Sequence, residues 1–166
     1  MSDTIWLHDH EQRAWRGFLR TYERLTATLG RDLLVESGLS MQDYAVLVAL
    51  SESPEGKMRA FELGRELVWE KSRVSHHIGR MIDRGLVERS TCPTDKRGAF
   101  ISISAKGFTA IAGAAPGHVA AVRRYFIDQL SEPDLDALIR IADKVGNALN
   151  GALPDDECCE ESSESR

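Results

Sequence analysis

The feature that most constrains this chain is a change of apolar periodicity between Glu62 and Ser104. The run ELGRELVWEKSRVSHHIGRMIDRGLVERSTCPTDKRGAFISIS starts with helical spacing and ends with strand alternation. Phe61, Leu63, Leu67 and Val68 predict a short helix from about Ala60 to Leu67. Val74, Ile78, Met81 and Ile82 predict a second, from about Glu70 to Gly85. At 100° per residue these four span about 100°, one inward stripe. The opposite side carries Ser72, Arg73, His76, Arg80 and Asp83, with Ser75 and His77 on its flanks. Two short helices joined tightly near Leu67 to Trp69 make a helix-turn-helix unit.

After Gly85, LVERSTC and AFISIS alternate with period two and predict a β-hairpin. Its polar tip, PTDKRG, holds the turn residues Pro93, Asp95 and Gly98 beside Lys96 and Arg97. A projecting hairpin after a helix-turn-helix is a wing. The expected fold is therefore mainly α with a small β-hairpin wing.

The flanks extend that core. Trp15, Phe18, Leu19, Tyr22, Leu25, Leu29 and Leu33 recur in steps of three and four between about His8 and Glu36. This is either a core helix of a bundle or, as so large an aromatic load on an N-terminal helix suits, one that packs partly against a second subunit. Gly38 stops this helix, and Ser40 caps an almost wholly apolar helix that belongs at the centre. SESPEGK, residues 51–57, reads as a turn. From Ser104 or Ala105 a helical stretch carries Pro116-Gly117, which should kink or split it. Ser131 caps a last helix striped by Leu135, Leu138, Ile139, Ala142, Val145 and Leu149. The tail DDECCEESSESR holds six acidic residues and is expected to be disordered. The expected division is an N-terminal dimerisation helix (1–36), a winged helix-turn-helix (37–104), C-terminal dimerisation helices (105–150) and an acidic tail (151–166).

A net charge of −5 argues against a nucleic-acid partner, but its distribution argues for one. Residues 57–98 carry ten Lys/Arg against six Asp/Glu, a local +4 that leaves −9 on the rest. An α-helix fits the major groove, and only its outward face reaches base edges. Here that face offers Ser72, Arg73, Ser75, His76, His77 and Arg80. Lys96 and Arg97 at the wing tip suit the electronegative minor groove, with Asp95 accepting a hydrogen bond that shapes the wing.

These residues resemble the MarR-type transcriptional regulators. The resemblance rests on SMQDYAVLVAL, KSRVSHHIGRMIDRGLVER and the wing TDKRGAFISISAKG, and spans about residues 10–150. It implies a homodimer with a triangular outline, built by terminal helices around two winged domains. It implies recognition helices in successive major grooves of a pseudo-palindrome, with DNA-contacting roles for Ser72, Arg73, Ser75, His76, His77 and Arg97. His76 stands where the family very often has Arg, which leaves the base preference open. The resemblance also implies a small aromatic or anionic effector in a crevice by the dimer helices. Trp15, Arg16, Phe18, Leu19 and Tyr44 would supply flat apolar walls and a cation for it, unless they are plain core and solvated surface.

The resulting expectation is a cytoplasmic, ligand-responsive repressor without a cofactor, released from its operator by the effector. Two alternatives stand beside it: a winged-helix protein-interaction module, and a metal- or redox-responsive regulator. The second is poorly supplied. No cysteine precedes Cys92, and Cys158 and Cys159 are tail thiols. His8, His10 and Glu11 are close in sequence, but His8 and His10 face different ways on a helix. An enzyme is not expected, since no G-x-S-x-G, H-E-x-x-H, P-loop or G-x-G-x-x-G occurs. No basic start followed by an apolar run marks a secretory signal.

Overall fold

A computed structural model describes residues 5–91 and 99–150. Its elements run α1 (Asp9–Ser37), α2 (Met41–Glu52), β1 (Lys57–Arg59), α3 (Ala60–Leu67), α4 (Lys71–Asp83), β2 (Val87–Thr91), β3 (Ala99–Ile103), α5 (Ala105–Tyr125) and α6 (Glu132–Asn150). Helices dominate, and the strands form one antiparallel sheet in the order β1-β3-β2.

The chain divides into two units, residues 1–126 and 127–166. The first holds the core. Leu33, Leu39, Val46, Leu47, Leu50, Leu63, Val74, Ile78, Met81, Leu86, Val87, Ile101 and Ile111 are buried together. Helix α2 lies at the centre, as its all-round apolar sequence requires. The Ser40 hydroxyl accepts from the Asp43 N–H at 3.1 Å, and Asp43 Oδ2 accepts from the Ser40 N–H at 3.0 Å. This reciprocal cap satisfies two backbone donors that helix geometry leaves free. In the second unit Asp134 Oδ2 likewise accepts the Ser131 N–H at 3.0 Å, but there the serine hydroxyl donates to the same oxygen and does not cap a backbone donor.

Two expectations need correction. The 51–57 turn is shorter than its composition suggested, because α2 runs to Glu52 and a 3₁₀ turn covers Pro54–Gly56. Lys57 already begins a third strand, with Met58 opposite Ile101 and Arg59 opposite Phe100. Three residues are too few to show alternation, so only the exposed edge of β3 creates this strand. Nor does Pro116 split α5, which is one helix of 21 residues. A proline removes a single N–H from the ladder, and packing along α1 holds the rest.

The joint between the sheet and α5 rests on Ser104 and Gly107. Ser104 Oγ accepts from the Gly107 N–H at 2.9 Å and donates to the Gly85 carbonyl at 2.7 Å. A Cβ on residue 107 would sit 2.0 Å from the Leu86 carbonyl oxygen, so only glycine lets this backbone approach.

Candidate nucleic-acid interface

Helix α3 ends in a left-handed residue, Val68 (φ 53°), whose N–H bonds to the Arg65 carbonyl at 3.1 Å. The Trp69 N–H bonds to the Gly64 carbonyl at 2.8 Å. Gly64 makes this turn compact: a Cβ there would lie 3.1 Å from the Trp69 carbonyl and 3.3 Å from Val74. The turn delivers α4 with Val74, Ile78 and Met81 buried against the core. Ser72, Arg73, Ser75, His76 and Arg80 are exposed on its other side. Arg73 lies over the Trp69 ring, 4.4 Å from its centre.

His77 does not join that face. It is 7% exposed and points inward, correcting its expected place on the flank. Its ring meets Trp69 edge-on at 5.2 Å. Its Nε2 lies 3.1 Å from Asp43 Oδ1 on α2, at ion-pair distance but out of line for a hydrogen bond. Its Nδ1 lies 2.8 Å from Arg80 Nη2. Burial pushes the His77 imidazole below its usual value; the Asp43 charge opposes this, and the Arg80 and Arg73 charges add to it. The ring is therefore neutral at pH 7.

Asp43 is the centre of a wider cluster. Arg84, just past the end of α4, donates from Nη1 to Asp43 Oδ2 at 2.6 Å and from Nη2 to the Gly38 carbonyl at 2.9 Å. Burial alone would raise the Asp43 carboxyl. Hydrogen bonds from the Ser40 backbone, Arg84 and Ser40 outweigh it and hold the group below the usual carboxylate range. Lys106 Nζ donates to the Arg84 carbonyl at 2.7 Å, tying the start of α5 to the same corner. Nothing close to Asp43 in the sequence points to Arg84, which is 41 positions away. An acidic residue one turn into an otherwise apolar helix was the available signal.

The wing residues Asp95, Lys96 and Arg97, together with Cys92, Cys158 and Cys159, lie outside the described residues. The strands that carry the tip are described, with Val87 opposite Ile103 and Thr91 opposite Ala99.

The five effector candidates lie on two helices, Trp15, Arg16, Phe18 and Leu19 on α1 and Tyr44 on α2. Trp15 (53% exposed) and Phe18 (61%) stack in a row with Tyr22 (59%). Leu19 is on the exposed side of α1 as well. Tyr44 instead packs its ring against His118 of α5, with centres 4.5 Å apart. Arg16 lines an open groove with Asp9, Gln12, Arg13 and Arg20. A second groove, of about 250 Å³, lies between α1 and the end of α5 and was not foreseen. Thr21, Arg24, Leu25, Thr28, Tyr125 and Phe126 line it. No set of three or more metal-ligating side chains occurs among the described residues. Nor, among them, is any single helix long and apolar enough to cross a membrane.

Comparison with known proteins agrees with this geometry. The MarR family profile matches residues 37–98. The transcriptional regulator HosA of Escherichia coli O111:H- is 32% identical over 110 residues, covering 66% of this chain and 79% of HosA. The crystal structure of AbsC, a MarR family transcriptional regulator from Streptomyces coelicolor, superposes with a TM-score of 0.85 at 42% identity, covering 89% of this chain and 99% of AbsC. Sco3205, from the same organism and solved in complex with DNA, gives 0.85 at 34% identity, covering 90% of this chain and 93% of Sco3205. A buried apolar stripe beneath an exposed basic face on α4, within this fold and among these relatives, identifies the chain as a member of the MarR family of DNA-binding transcriptional regulators.

Proposed function

We propose that the protein is a homodimeric repressor that reads a pseudo-palindromic operator and is released from it by a small aromatic or anionic ligand. The observation that carries the reading is the division of α4. Val74, Ile78 and Met81 are buried, while Arg73, His76 and Arg80 stand in solvent with Ser72 and Ser75. Arg73 and Arg80 donate to guanine edges; the serines and His76 contact bases or phosphates. Lys96 and Arg97 of the wing enter the adjacent minor groove, with Asp95 shaping the tip.

Dimerisation is supported by exposed apolar side chains on the terminal helices. Trp15, Phe18 and Tyr22 on α1 are more than half exposed. On α6, Ile139 (60%), Ile141 (55%), Val145 (52%) and Leu149 (58%) are also exposed. Patches of this kind mark association surfaces. For the effector, the groove where Arg24 meets Tyr125 and Phe126 combines flat walls with a cation. To release DNA, the ligand must bind the free form better than the bound form.

The test is selection of duplexes from random sequence with the full-length protein, followed by titration at several salt concentrations. The expected result is a two-fold-symmetric consensus whose affinity falls steeply with salt. Binding without sequence preference would sink the operator reading. A thermal-shift screen of aromatic acids then seeks a compound that stabilises the free protein and weakens the DNA complex.

A further inference from the structure

The inward-facing His77 is absorbed by neither the core nor the reading face. It touches both: Asp43 lies at 3.1 Å on one side and Arg80 at 2.8 Å on the other. An arginine guanidinium has five N–H donors and no acceptor. The contact with Arg80 Nη2 therefore requires His77 Nδ1 to accept. The ring proton must then sit on Nε2, the atom beside the Asp43 carboxylate. The charged groups acting on the ring are Asp43 from α2, and Arg80 and Arg73 from its own helix. Arg84 neutralises Asp43 from the far side.

We propose that His77 is a positioning residue for DNA reading: with its ring proton on Nε2 beside the Asp43 carboxylate, it uses Nδ1 to fix the exposed guanidinium of Arg80 in the orientation that meets DNA. The contact occupies one of the five donors and leaves the others free to face outward. Without it, Arg80 must be immobilised at the moment of binding, which costs affinity. The proposal rests on the reading of α4 as the DNA-facing helix.

The test uses the full-length protein and the best duplex from the selection above. Substitution His77→Leu keeps apolar packing beneath Trp69 but removes the acceptor. It is expected to weaken binding roughly 5-fold. His77→Asn, whose Oδ1 replaces Nδ1 as acceptor, should restore affinity to within about twofold of wild type. In an Arg80→Ala background, His77→Leu should have no further effect. Thermal melts establish that each variant is folded. In the unaltered protein, long-range ¹H–¹⁵N spectra at pH 7.5 should show His77 protonated on Nε2, a readout independent of any variant. A proton on Nδ1 overturns the proposal. So does a His77→Leu loss that persists in the Arg80→Ala background, or wild-type affinity in His77→Leu. If Arg80→Ala alone leaves binding unchanged, the reading of Arg80 as a DNA contact fails and the positioning role fails with it.

Discussion

Helices α1 and α4 both present large side chains to solvent, but in opposite ways. The exposed face of α4 is polar and is anchored from behind: Arg80 on His77, Arg73 on Trp69, and both supports on a filled core. The exposed face of α1 is aromatic, and its rings rest on each other, Trp15 on Phe18 at 6.1 Å and Phe18 on Tyr22 at 6.4 Å. A fixed polar face suits a partner that stays in water until recognised. Stacked aromatics in solvent are what a second apolar surface would cover.

Four experiments would break or sharpen this contrast. The largest effect is expected from Trp15→Ser with Phe18→Ser. Two interface aromatics at about 2 kcal/mol each raise the dimer dissociation constant by roughly 1,000-fold. Sedimentation equilibrium measures this, while the monomer's helical signal should be preserved because neither ring is buried. A dimer of unchanged strength would show that α1 does not form the contact. Next is Arg73→Ala, expected to weaken operator binding by about 1–3 kcal/mol, or roughly 5–150-fold, with the dimer intact. Equal losses on operator and random duplex would reduce Arg73 to a phosphate contact.

A smaller effect is expected from Asp43→Asn. The change leaves Arg84 facing a neutral amide. Arg84's side chain is 45% exposed, so water screens part of the loss. Urea denaturation should show a loss of roughly 1–2 kcal/mol at pH 7. The lowered Asp43 value means that its contribution is complete above the ordinary carboxylate value of 3.8 and disappears as pH falls through the folded-state value. The wild-type advantage over Asp43→Asn should therefore vanish in acid, and an advantage that persists there would exclude the carboxylate as its source. The smallest effect concerns His77. Its value is also lowered, but it is a base, so the unfolded chain takes up the proton first. Stability should decline as pH drops below its ordinary value of 6.5, and the loss is complete once the folded group charges too. Melting temperatures between pH 7.5 and 5.5 should fall less in His77→Leu than in wild type; parallel curves would rule out His77 as the titrating group.

Periodicity revealed what local chemistry controls. Val74, Ile78 and Met81 of the expected stripe, though not the exposed Ile82, and the Ser40 cap were legible, because each depends on residues a few positions apart. The inward turn of His77 was not. At the edge of a helical wheel, a histidine goes in or out according to what waits there, and Asp43 is 34 positions earlier in the chain. Strand β1 was hidden for the same reason: three residues carry no pattern, and the edge they complete is formed by β3. The contact of Tyr44 with His118 was hidden too, a neighbour set by the α2–α5 packing and not by sequence spacing.

Arg84 shows what such long-range contacts add. One guanidinium grips the carbonyl that closes α1 and the carboxylate that opens α2, and its own backbone ends α4. The corner between the first two helices and the far end of the reading helix thus share a single pin. A displacement of that corner therefore bears directly on the end of α4, through an ionic joint whose arginine side chain is 45% exposed to water.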